Sequence, residues 1–204
     1  MRKRNCHHTF NIWWLRRNNL SSAPVLTFQN ILTPFSVISS LNYVQSAPGG
    51  NNLPVLQGQT SNPILFRIYN NFALAAGIAT AINIYLTVYD GVGVGSHTCA
   101  FLPVSQSWIH AQEYGYGENS VTSPDGLTTY LGTDTAIGGS GPCGSNQYAP
   151  EKGSDGSANA QIRAYSSGNG QGFIEFQTKA VLPTTGVLNT SYNFSISLYY
   201  EWIA

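Results

Sequence analysis

The 204 residues carry nine basic and nine acidic side chains, a formal net charge of zero, and only 9% of positions are charged, where an average domain has about a quarter. With 12 Tyr and 21 Gly and abundant Asn, Ser and Thr, this composition suits β-sheet with polar, uncharged faces and argues against an ordinary cytosolic enzyme. The length fits one domain, or one domain with an arm, large enough to bury a core without staples.

The charge is unevenly spread. Arg2, Lys3, Arg4, Arg16 and Arg17 are five of the nine basic residues, and no acid precedes Asp90. Residues 1–23 therefore read as a cationic arm on a mildly acidic body, residues 24–204. Trp13, Trp14 and Leu15 beside Arg16 and Arg17 suit a short amphipathic anchor at a membrane surface, against a neighbouring subunit, or on the body itself. The same arm can neutralise phosphates, with its tryptophans stacking on unpaired bases. Cys6, His7, His8, Arg16 and Arg17 interrupt any apolar stretch of export-signal length. The most apolar window, Phe72 to Leu86, is too short and too broken to span a bilayer.

Beyond the arm, Val25 to Leu41 predicts one bent or two short edge strands around Pro34, and Ala47 to Asn52 predicts a loop. Ile64, Phe66 and Ile68 alternate with Leu65, Arg67 and Tyr69 as one strand. Ile82, Ile84, Leu86 and Val88 alternate with Asn83, Tyr85, Thr87 and Tyr89 as another. Short strands are expected at Ser107 to Tyr114 and within Thr128 to Ile137, separated by a loop from Tyr114 to Gly126 whose Pro124, Asp125 and Gly126 favour a turn. Gly138 to Gly156 reads as a long exposed loop. Gln161 to Tyr165 and Phe173 to Leu182 read as a strand pair around Gly168, Asn169 and Gly170. The clearest pattern closes the chain: Tyr192, Phe194, Ile196, Leu198, Tyr200 and Trp202 on one side, mostly polar residues on the other, a strand with one buried face. Seven to nine strands without an amphipathic helix predict an all-β fold, a single β-sandwich of immunoglobulin-like or jelly-roll type.

Two stretches resemble a known class. Pro63 to Gly91, PILFRIYNN…AINIYLTVYDG, is similar to the paired strands of immunoglobulin-like adhesion or virion domains. Gly172 to Trp202, GFIEFQTKAVLPTTGVLNTSYNFSISLYYEW, resembles their closing hairpin. Such domains recur in phage and virus structural proteins and in microbial extracellular filaments. The resemblance covers the body and not the arm. It implies a scaffold for assembly or display and brings no catalytic residues with it.

Chemistry is sparse. Cys6, His7 and His8 adjoin one another but have no CxxC or HxxxH partner to complete a metal site. His110 and Glu113 fall on opposite faces of a strand and so make a poor catalytic pair. No nucleophile elbow, zinc-binding helix or phosphate loop is present. Asp125, Asp134, Glu151 and Asp155 lack EF-hand spacing. Cys99 and Cys143 lie in Gly/Pro-rich loops and either pair or remain thiols. Trp108, Tyr114 and Tyr116 suit sugar stacking, the core or a subunit contact. Asn19, Asn189 and Asn193 begin N-x-S/T triplets.

The expected function is non-enzymatic, without metal or cofactor: a virion structural protein that self-associates through its β-sandwich. In that reading Arg2, Lys3, Arg4, Trp13, Trp14, Arg16 and Arg17 contact a neighbouring subunit or packaged nucleic acid. The alternatives are a secreted filament or pilus subunit assembling by strand donation and a carbohydrate-binding adhesion module.

Overall fold

The structure, a computed structural model, describes residues 24, 26–30, 42–46, 52–70, 79–90, 102–119, 131–139, 145–164, 171–185, 192 and 194–203. Most of them lie in strands, and the sheets are antiparallel. The elements in chain order are β1 (Leu26–Asn30), β2 (Val44–Ser46), β3 (Asn52–Pro54), β4 (Ile64–Asn70), β5 (Thr80–Asp90), α1 (Leu102–Ser105), β6 (Ile109–Asn119), β7 (Leu131–Ile137), β8 (Gln161–Ile162), β9 (Gln171–Ala180) and β10 (Phe194–Ile203). One sheet has five strands in the order β1-β4-β9-β6-β7, a second has three in the order β10-β5-β8, and β2 pairs with β3.

Period-2 alternation supplies the core from both sheets. Phe66, Ile68, Ile109, Ile137, Ile174 and Phe176 come from the five-stranded sheet. Ala81, Ile84, Leu86, Val88, Ile162, Ile196 and Leu198 come from the three-stranded one, and Val104 of α1 joins them. Burial of each large side chain stabilises the fold by roughly 1.5–3 kcal/mol before chain entropy is subtracted. The β2–β3 ribbon is tied in through Tyr43, whose hydroxyl donates to Thr178 Oγ1 at 2.8 Å and whose ring stacks on Phe194.

Two bulges correct the simple alternation. On β5, the pairing steps from Tyr199↔Tyr85 to Glu201↔Ile82, and Asn83 takes a left-handed φ of 51°, a conformation Asn tolerates better than most side chains. The slip puts Ala81 in the core and leaves Ile82 only half-buried. On β6, Glu113 pairs with Phe176 but Gly115 with Glu175. The extra residue, Tyr114, turns Gly115 and Gly117 onto the face opposite the core. β6 also runs on to Asn119, through part of the stretch expected to be loop.

Four further expectations are corrected. Gln161 to Tyr165 and Phe173 to Leu182 do not form a strand pair: β8 pairs with β5, and β9 lies between β4 and β6. Gly172 to Trp202 is not a hairpin, because β9 and β10 belong to different sheets. Pro63 to Gly91 likewise holds β4 and β5, one from each sheet. The closing strand buries both faces from Ile196 to Tyr199, with Ser197 fully buried and Tyr199 5% exposed, whereas Trp202 is 38% exposed. Its last apolar residues run past the edge of the core.

Candidate functional site

On the face of the five-stranded sheet opposite the core, cross-strand neighbours form a buried polar ladder. Arg67 of β4 stands opposite Glu175 of β9, and Tyr69 opposite Phe173. Arg67 Nε donates to Glu175 Oε1 at 2.7 Å, Nη2 donates to the same oxygen, and Nη1 donates to the Tyr69 hydroxyl at 2.7 Å. The guanidinium carbon lies 4.0 Å from the Phe173 ring centroid, a cation–π arrangement. Gly117 gives that ring its space: a Cβ there would meet Phe173 Cζ at 2.5 Å. Burial pushes the Glu175 carboxyl up, with Arg67 pulling it the other way. Gln29 on β1, opposite Arg67, is 1% exposed.

Toward the β7 edge the same face becomes more exposed. Asp134 receives Lys179 Nζ at 2.5 Å and lies 3.3 Å from His110 Nδ1.

The outer face of the three-stranded sheet is rich in tyrosine, with Glu201 at its end accepting from Asn83 Nδ2 at 2.8 Å. Tyr85 stacks on its cross-strand partner Tyr199 with centroids 4.7 Å apart, and the Tyr199 and Tyr89 hydroxyls share a hydrogen bond of 2.5 Å. Tyr89 is fully buried and Tyr199 is 5% exposed, while Tyr85 is half-buried.

Glu113 lies on the core face of β6 and is fully buried. Its Oε2 accepts the backbone N–H groups of Glu151 at 2.7 Å and Lys152 at 3.1 Å, while Oε1 is buried with no hydrogen-bond partner among the described residues. Burial, the largest influence, pushes its carboxyl up to about 7 against the pull of those two N–H groups. The Tyr148 hydroxyl accepts the Glu113 N–H at 2.7 Å, and burial pushes that phenol up to about 12.

The residues singled out from the sequence are only partly brought together. The arm of residues 1–23, with Cys6, His7, His8, Arg2, Lys3, Arg4, Trp13, Trp14, Arg16, Arg17 and Asn19, lies outside the described residues. So do Cys99, Cys143, Asp125, Asn189 and Asn193. Trp108 is half-buried, edge-on to Tyr192, and Tyr114 and Tyr116 are half-buried. His110 and Glu113 fall on opposite faces of β6, as expected. Asp155 accepts from Ser157 N–H and Gln161 Nε2. Burial pushes its carboxyl up, but these bonds and Arg163 outweigh it and leave it lowered. Among the described residues no group of three or more His, Cys, Asp or Glu is placed to hold a metal ion, and no helix is long and apolar enough to cross a membrane.

The Arg67–Glu175 pair and the buried Glu113 were not anticipated. A signal for the pair existed: each of its charges is flanked on both sides by large apolar residues, Phe66 and Ile68 or Ile174 and Phe176, so a sheet buried on one face necessarily carries both onto the other. Comparison with known proteins finds no matching family model, no matching curated protein and no matching solved structure.

Proposed function

We propose that this chain is a structural subunit of a virus particle, a capsid, decoration or other assembly component. Its two main sheets make a β-sandwich of immunoglobulin-like or jelly-roll type, and the basic arm reaches a neighbouring subunit or packaged nucleic acid. The observation that carries the reading is the scarcity of ionic surface. The body is poor in charge to begin with, and Arg67, Asp90, Glu113 and Glu175 are buried. Of the rest, Lys179 pairs with Asp134, and Arg163 lies between Glu118 and Asp155 and offsets one of their two charges. Identical copies therefore repel one another little. Exposed apolar side chains add contact area: Leu53, Leu56 and Leu102, with Trp202 and Ile203 at the end of β10. The contact surface is assigned to these residues rather than to the tyrosine face, whose Tyr89 and Tyr199 are buried.

Sedimentation velocity of the full chain over a concentration series tests the reading. A discrete oligomer that persists at high salt supports assembly through the body. A variant with Arg2, Lys3, Arg4, Arg16 and Arg17 all changed to Ser separates the arm's role: loss of salt-sensitive binding to single-stranded nucleic acid with the oligomer retained assigns it to the genome. Loss of the oligomer assigns it to a neighbour. A chain that is monomeric with and without these changes contradicts the proposal.

A further inference from the structure

We infer that residues 148–152 form a pH-sensitive clamp, seated over Glu113 while its carboxyl is neutral and loosened when it ionises. Tyr148 anchors the segment: its N–H and C=O pair with Leu86 of β5 at 2.9 and 2.8 Å, its hydroxyl accepts the Glu113 N–H, and its ring stands edge-on to Phe176. Three and four residues on, the Glu151 and Lys152 N–H groups both close on Glu113 Oε2. The carboxyl thus holds the segment, and the seated segment leaves that carboxyl fully buried.

The two protonation states fare differently there. A neutral carboxyl keeps Oε2 as acceptor for both N–H groups. An ionised one also leaves Oε1 buried and charged with no donor among the described residues, a costly arrangement in a low-dielectric site. The groups facing Glu113 divide: the Glu151 carboxylate opposes its charge, the Lys152 ammonium favours it, and the Tyr148 phenol is neutral. Phe176 opposite it on β9 is apolar. Burial first, and then the carboxylates of Glu113, Glu151 and Asp134, make the Tyr148 phenol harder to ionise, so that phenol stays an uncharged anchor. Lifting the segment returns the carboxylate to water.

The sign follows from linkage. With the carboxyl near 4.5 when solvated and about 7 when seated, the clamp is at full strength below 4.5, weakens as pH rises between the two values, and reaches a lower plateau above 7. The full difference is on the order of a hundredfold in the seating equilibrium.

Amide hydrogen exchange of the full chain tests this, expressed as protection factors so that the intrinsic pH dependence of exchange is removed. Protection at the Glu151 and Lys152 amides is expected to fall at least tenfold from about pH 5 to about pH 8, and to be flat in Glu113→Gln, which keeps an acceptor oxygen and cannot ionise. A carbon-13 titration of the Glu113 carboxyl in the unmodified chain, expected to have its midpoint near 7, decides the matter even where the variant fails to fold. A midpoint in the ordinary carboxylate range, protection that does not change with pH, or the same slope in Glu113→Gln would each overturn the inference.

Discussion

The Arg67–Glu175 pair shows how a single buried charge constrains its surroundings. Both side chains are at most 5% exposed, so removing one leaves the other uncompensated in a low-dielectric setting. Glu175→Gln is expected to destabilise the fold by about 3–5 kcal/mol, read as a lower midpoint in urea unfolding. Replacing both charges, in Arg67→Met with Glu175→Leu, is expected to recover most of that loss. A double variant no better than the single one would mean that the guanidinium matters for its contacts to Phe173 and Tyr69 rather than for its charge. Tyr199→Phe removes one of the two hydroxyls that meet at 2.5 Å and leaves the Tyr89 hydroxyl, fully buried, without it. A loss of about 0.5–1.5 kcal/mol, that of one hydrogen bond, is expected, again from urea unfolding. The burial of neither interaction was legible beforehand, because alternation identifies which residues share a face but not whether a second layer covers it. Tyr199 and Ser197 read as the polar side of the last strand and turned out as buried as its apolar side.

At the scale of elements, period 2 located the long strands well: β4, β5, β9 and β10 all contain the alternating runs that predicted them. It failed where a strand carries an extra residue. Asn83 with its positive φ and Tyr114 at the β6 bulge each invert the alternation from that point, and nothing in the adjoining side chains announces where the slip occurs. Partner choice was equally hidden, since β4–β5 and β9–β10 look like neighbours in sequence but belong to different sheets. The glycines beyond the β6 bulge then have a steric role. Gly117→Ala places a methyl against the Phe173 ring, and a loss of about 1–3 kcal/mol is expected from overpacking. In β10 the predicted stripe divides in two: Leu198→Ala, in the core, is expected to cost about 2–5 kcal/mol. Trp202→Ala, beyond its edge, is expected to change stability far less. Equal losses at both positions would mean that Trp202 belongs to the core after all. Thermal or urea unfolding of the three variants checks these orderings.

At the scale of the whole molecule, composition foretold the β architecture because a chain this poor in charge and rich in Tyr, Asn, Ser, Thr and Gly has little material for solvated helices. The same composition motivates the proposed assembly role, and the burial of Arg67, Asp90, Glu113 and Glu175 leaves the body fewer exposed charges still. In that proposal the lopsided charge of the sequence gives residues 1–23 a separate role, toward phosphate or an acidic neighbour. The most direct measurement is electron microscopy of the purified full chain as its concentration is raised, at neutral pH and moderate salt. The account predicts ordered assemblies of repeating subunits, shells, rings or filaments, whose contacts include Leu53, Leu56, Trp202 or Ile203. Well-separated single copies at every concentration would contradict it.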